Sequence, residues 1–279
     1  MDRRAFVRTV GAGACGMVAP LRDRGRVRTT QTAATGGPTP SPSGRALTIA
    51  AAPGPISLET TKTAVIVVDM QNDFGSEGGS FQRAGIDISM IRAAVAPTGR
   101  VLGAARALGI KVIYLKMAFR PDLSDAGAAD SPNFARHLQL LGMGRPVQAP
   151  NGHTSRLLIR DTWNTDIIDE LTPAREDVVV YKHRFSGFFE TDLDATLKRS
   201  GIKYLIVTGC TTSICVESTI RDAMFRDYSC VLLRDCTGEP IGHALPRSNH
   251  DASLLTIQSL LGWVSTSDDV INTLKRESA

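Results

Sequence analysis

From residue 58 onward the apolar residues follow two rhythms. Short runs of β-branched residues, nearly continuous in hydrophobicity, alternate with longer stretches where apolar positions recur every three to four residues. Residues 63–69 (TAVIVVD) form the first run, and unbroken hydrophobicity of this kind marks a strand covered on both faces in a parallel sheet. Residues 86–108 are helical in period with Pro97 inside them, and Gly109 supplies a stop. A strand follows at 110–115. The stretch 117–160 has little period and reads as active-site loops with short helical pieces. The pattern then predicts a helix at 163–171, a strand at 177–181, a helix at 191–200 and a strand at 203–208. After these come a helix at 215–226, a strand at 229–233, a helix near 249–261, a short strand at 262–265 and a closing helix at 268–276. Strands alternating with helices imply right-handed crossovers and an α/β fold: a three-layer α/β/α sandwich with a mainly parallel central sheet. In such sheets the chemistry lies beyond the carboxyl ends of the strands.

The segment before residue 58 is of another kind. From Thr29 to Ser57, 18 of 29 residues are Pro, Gly, Ser or Thr and only Arg45 is charged, so 29–57 reads as a linker. Residues 1–28 open with Arg3-Arg4 followed by Phe6 and Val7, and then a short apolar stretch at 11–21, which resembles a twin-arginine export signal. Export to the periplasm is the expectation from this leader, with a cytoplasmic protein bearing a basic tail as the alternative. Gly11, Gly13 and Gly16 match a dinucleotide-binding string, but no strand precedes them and no acidic residue follows at the required distance, so the match is fortuitous.

Charge sharpens this division. The 279-residue chain carries a net +4, yet residues 1–45 hold eight arginines against Asp2 and Asp23, a net of +6, which leaves residues 46–279 at −2. A slightly acidic folded part removes the argument for a nucleic-acid partner, and no apolar run is long enough for a membrane span.

Three reactive side chains fall at the ends of three predicted strands: Asp69, Lys182 and Cys215. Taken singly, each has a plainer reading, as a turn residue, a solvated lysine and a small buried hydrophobe. Together they make chemistry. A thiol at a helix N-terminus near an ammonium is expected to be acidified, and lowering its pKa from about 8.5 to about 7 would make half of it nucleophilic at neutral pH. Asp69 can accept the thiol proton and later deliver it to a departing amine.

VVDMQNDF at 67–74, KHRFSGFF at 182–189 and GCTTSICVESTIRD at 209–222 resemble, in this order, the isochorismatase-like cysteine hydrolases, over about residues 60–275. The resemblance makes 58–279 the hydrolase domain and implies an Asp69–Lys182–Cys215 triad with a thioester on Cys215. It also implies a cis peptide at Cys210–Thr211, with the amides of Thr211 and Cys215 forming an oxyanion hole. SPNF at 131–134, RFSGFF at 184–189, CVEST at 215–219 and GWVS at 262–265 resemble the branch of that family acting on ureidoacrylate-like compounds. The substrate expected is a small linear amide or ureide, met by Phe74, Met117, Phe119, Asn133 and Phe185. Phe185 stands where that branch carries Tyr, and Met117 and Phe119 replace polar and Trp residues; losing hydrogen-bonding groups alters specificity sharply. A homo-oligomer is also implied.

No cofactor is called for. Five cysteines (15, 210, 215, 230, 236) form no C-x-x-C pair, and 210, 230 and 236 read as core residues, although in an exported protein Cys210 or Cys236 could be trapped with Cys215 by oxidation. His137, His153, His183, His243 and His250 show no H-x-H spacing, so they read as ordinary core or surface histidines and no metal is expected. Two other readings remain open: a vinyl ether hydrolase of the isochorismatase type, and a non-catalytic binding protein on the same fold.

Overall fold

The computed structural model describes residues 44–276. The leader at 1–28 and the linker up to residue 43 lie outside them. In chain order the strands are β1 (Ala46–Ile49), β2 (Ile56–Glu59), β3 (Thr63–Val68), β4 (Lys111–Met117), β5 (Pro146–Gln148), β6 (Thr154–Arg156), β7 (Val178–Lys182), β8 (Tyr204–Cys210), β9 (Ser229–Gly238) and β10 (Trp263–Ser265). The helices are α1 (Asn72–Gly75), α2 (Ser80–Arg83), α3 (Ser89–Ala107), α4 (Pro132–Arg136), α5 (Leu193–Arg199), α6 (Glu217–Met224), α7 (Asn249–Thr256) and α8 (Ser267–Arg276).

Six strands form one sheet in the order β10-β9-β8-β3-β4-β7, with every neighbouring pair parallel. The sheet is thus entirely parallel, and its order is that of a doubly wound fold whose switch point lies between β3 and β8. Alternation within the strands builds two cores. Val65, Val67, Val112, Tyr114, Ile206 and Val231 pack against α3 and α8 on one face, whereas Ala64, Ile66, Ile113, Leu205, Val207 and Leu232 pack against α5 and α6 on the other. Both faces of β3 are therefore buried along its whole length, as its unbroken hydrophobicity predicts.

Three departures from the sequence reading bear on the core and the site. The segment read as linker through Ser57 holds an antiparallel β1–β2 pair, whose Leu47, Ile49, Ile56 and Leu58 join the core on the α3–α8 face. Ala52 hydrogen-bonds Val264 in both directions (2.8 and 3.0 Å), so this hairpin also covers the exposed edge of β10. Residues 163–171 hold two single 3₁₀ turns in place of a helix, because Asn164 and Thr165 are tied sideways to Asp73 and to the Ile159 carbonyl. Finally, Cys215 does not begin an α-helix; it lies within one turn of π-helix, Thr212–Val216, that runs into α6.

Candidate active site

The site sits at the switch point, on the carboxyl rim of the sheet. The chain leaves β3 through Asp69, which adopts a left-handed conformation (φ 51°) that Asp tolerates better than most residues. This turn aims Oδ1 at the end of the adjacent strand, where it accepts the Met117 N–H at 2.9 Å. Lys182 ends β7 in register with Met117, two strands from Asp69. That separation is roughly 10 Å, and the lysine stem and the Asp69 side chain close it from the two sides. Its Nζ passes the Met117 Sδ at 3.7 Å and stops 2.7 Å from Asp69 Oδ2, while also donating to the Arg184 carbonyl at 3.2 Å. Apart from this ammonium, Oδ2 meets no well-aligned donor among the described residues.

β8 brings the thiol. Gly209 has φ 116°, and a Cβ there would lie 2.0 Å from the Val68 carbonyl oxygen, so only glycine lets β8 approach β3 this closely. The Cys210–Thr211 peptide that follows is cis. Cys210 donates its thiol to the Asp69 carbonyl at 3.1 Å. The π-turn then delivers Cys215 to the Asp69–Lys182 pair. Thr219 fixes that turn: its hydroxyl donates to the Cys215 carbonyl (2.7 Å) and accepts the Gly187 N–H (3.0 Å), joining the nucleophile segment to the loop after Lys182.

Burial governs the ionisation of all three groups. Asp69 and Lys182 are almost wholly excluded from water, and Cys215 is 7% exposed. Burial pushes the Asp69 carboxyl above its ordinary value, opposed by the charge of Lys182. For Lys182, burial works downward, but Asp69 and Cys215 outweigh it and its pKa is raised. Burial also drives the Cys215 thiol well up, more than Lys182 draws it down. The acidification expected from sequence is opposed in the fold: the ammonium is already engaged with Asp69, and burial favours the neutral thiol.

A cavity of about 80 Å³ opens onto Asp69 and Cys215, with a largely apolar wall, and Lys182 lies behind it. Of the five residues expected to meet substrate, Phe74, Met117 and Phe185 line it. Phe119 and Asn133 do not. Phe119 is buried behind the wall with its ring 5.3 Å from that of His137, and Asn133 spends its amide on the Ala126 carbonyl. His137, read from sequence as an ordinary histidine, lines the cavity instead, as do Phe81, Ile214 and Ile241. The signal for it was weak: Ser131-Pro132 marks a helix start, but the face turned to the cavity depends on a π-turn at His137–Leu141. Nearby, Asp73 serves structure. It accepts hydrogen bonds from Ser80, Asn164 and Leu158, which ties three loops together, and burial pushes it up to about 6. Cys210, Cys230 and Cys236 are buried free thiols, as read.

A doubly wound sheet with a buried thiol beside a carboxylate–ammonium pair at its switch point is the architecture of a cysteine hydrolase, and comparison with known proteins narrows that class. An Isochorismatase domain model matches residues 63–269, and the chain belongs to the isochorismatase family. Ureidoacrylate amidohydrolase of Serratia proteamaculans is 40% identical over 228 residues, 82% of this chain and 89% of that protein. The ureidoacrylate amidohydrolase of Rhizobium rhizogenes is 37% identical over 237 residues, 85% of this chain and 93% of that one. Among solved structures, a cysteine hydrolase from Pseudomonas syringae pv. phaseolicola superposes with TM-score 0.65 at 29% identity, covering 80% of this chain and 96% of its own. N-carbamoylsarcosine amidase from Thermoplasma acidophilum gives 0.54 at 25% identity, covering 74% and 97%. The protein is a hydrolase acting on carbon–nitrogen bonds.

Proposed function

We propose that this amidohydrolase cleaves the C–N bond of a small linear ureide or amide through a thioester on Cys215, with Asp69 as the proton carrier and Lys182 as its charge partner. The carrying observation is that Asp69 and Cys215 line one cavity while Lys182, buried behind it, holds its Nζ 2.7 Å from Asp69 Oδ2. Asp69 takes the thiol proton as Sγ bonds to the carbonyl carbon. The carbonyl oxygen becomes an oxyanion held by the amides of Thr211 and Cys215. Asp69 then gives its proton to the leaving nitrogen, the C–N bond breaks and an amine departs. Water attacks the thioester, Asp69 accepts its proton, and the sulfur leaves to be reprotonated. A carboxylate made more basic by burial suits this role, and the fixed ammonium keeps it ionised between transfers. The activity named for the two curated relatives supports a ureidoacrylate-like substrate, and the cavity's size supports a small one.

The test is ammonia release from ureidoacrylate and simple amides by the protein and by Cys215→Ala, with mass spectrometry of the trapped enzyme. A thioester adduct in the wild type and complete loss of turnover in the variant are expected. Turnover above a few per cent in the variant overturns the reading, and cleavage of a vinyl ether without an adduct replaces it with the isochorismatase-type reaction.

Two further parts belong to this reading. The leader supports export, because a twin-arginine route carries folded enzymes. Self-association is supported by Leu140 and Phe185, which line the cavity yet are 55% and 41% exposed, an apolar rim that a second copy would cover. Sedimentation of the purified protein tests it, and a monomer overturns it.

A further inference from the structure

The reaction above leaves Arg136 and His137 of the cavity wall unused; Arg136 is exposed, and His137 is the buried one of the two. It is 5% exposed and held rigidly. Its Nδ1 is 2.8 Å from the Asn133 carbonyl oxygen, an atom that can only accept, so Nδ1 carries the proton. Its ring is wedged between Phe119 at 5.3 Å and Phe185 at 5.5 Å. In the neutral imidazole that leaves a lone pair on Nε2, and among the described residues Nε2 has no hydrogen-bond partner. The ring is neutral because burial lowers its basicity, reinforced by the charges of Lys182 and Arg184. The His137–Leu141 turn is π-helical, a form concentrated at functional sites. Apart from Arg136 and the reacting groups, the wall around it is apolar: Phe74, Phe81, Met117, Leu141, Ile214 and Ile241. An acceptor in such a wall stays unsatisfied unless the ligand brings a donor.

We propose that His137 is the specificity-determining residue of this site, its Nε2 accepting a hydrogen bond from an N–H of the substrate's ureido or amide group. The inference rests on the amidohydrolase reading and deepens it. It selects substrates that carry a free N–H beside the scissile carbonyl, and it assigns Asn133 a positioning role, fixing the tautomer through its carbonyl instead of touching substrate. A hydrogen-bonding site discriminates against ligands lacking the donor more strongly than an apolar site discriminates by size.

Steady-state kinetics on wild type, His137→Phe and His137→Gln test this, using ureidoacrylate and its fully N-methylated analogue as probes. Phenylalanine keeps the ring between Phe119 and Phe185 but deletes the acceptor; the Asn133 carbonyl keeps the His137 backbone N–H. For ureidoacrylate, KM is expected to rise on the order of tenfold with kcat little changed, the worth of one neutral hydrogen bond. For the methylated analogue KM should not move, and glutamine, which restores an acceptor, should recover most of the loss. Unchanged KM for ureidoacrylate in His137→Phe, or an equal rise for both probes, overturns the proposal while leaving the amidohydrolase reading intact. Wild-type protein that hydrolyses no ureide or amide overturns both.

Discussion

Lys182→Met keeps a long apolar stem and removes only the ammonium. The pair it breaks is fully buried, with 2.7 Å between Nζ and Asp69 Oδ2, so the carboxylate left behind meets neither water nor a cation. Stripping one partner from a buried pair costs roughly 3–5 kcal/mol. Asp69 can escape part of this by binding a proton, which burial already favours. Holding that proton costs about 1.4 kcal/mol for each pH unit above the ordinary aspartate value near 3.9, hence about 1.5 kcal/mol at pH 5 and about 4 kcal/mol at pH 7. The folded variant binds more protons than its unfolded chain in this window, so its stability falls as pH rises. Lys182, raised above 10.5, does not titrate here in the wild type, and its charge flattens the dependence on Asp69. Urea titrations at pH 5, 6 and 7 should therefore show the gap between wild type and variant widening by about 2–3 kcal/mol over those two units. Parallel stability curves would refute the claim that this lysine's chief electrostatic work is to keep Asp69 ionised.

Asp69 must be ionised to take the thiol proton and burial raises its pKa, so kcat/KM should fall on the acid side at a pH above the 3.8 of an exposed aspartate. Lys182 stays protonated beyond 10.5 and adds no alkaline limb below that; an acid limb at or under 3.8 would remove Asp69 from the role. Thr219→Val strips the acceptor from the buried Gly187 N–H and should cost about 1–3 kcal/mol in urea titrations while lowering kcat; unchanged stability sinks this account. Iodoacetamide should alkylate Cys215 slowly at neutral pH, with a rate still climbing above pH 9; a plateau near pH 7 would mean a resting thiolate. Fusing residues 1–43 to a reporter should send it to the periplasm in a cell with a working twin-arginine pathway, and cytoplasmic retention would count against export.

What the sequence makes legible is what local pattern controls. β3 and β8 are readable because both faces of each are covered, which demands unbroken apolar runs. Asp69, Lys182 and Cys215 are readable for a related reason: once the strands are placed, parallel topology sends their carboxyl ends to one rim. The β1–β2 hairpin is not, because its Pro- and Gly-rich setting resembles a linker and its stability comes from α8 and β10, more than 200 residues away along the chain. β9 runs five residues past its predicted end. Arg234 and Asp235 look like a loop, but both are exposed positions within the strand, and Asp235 caps α8 by accepting the Ser267 N–H at 2.8 Å. Phe119 packs behind the cavity wall against His137, Asn133 turns its amide to the Ala126 carbonyl, and His137 opens a π-turn; none of these three placements leaves a trace in hydrophobic spacing.

The thiol shows where a sum over neighbours fails without geometry. An ammonium and a helix N-terminus both favour a thiolate, and the sequence contains both. In the fold the ammonium is committed to Asp69, Cys215 lies inside a π-turn ahead of α6, and burial outweighs what attraction remains. A neutral thiol shifts the activation step to the moment of attack, when the proton passes to a carboxylate that burial has made a better base. It also slows oxidation, which follows thiolate character and exposure. If the enzyme is exported as proposed, a nucleophile that keeps its proton until substrate is attacked would reconcile a reactive cysteine with an oxidising compartment.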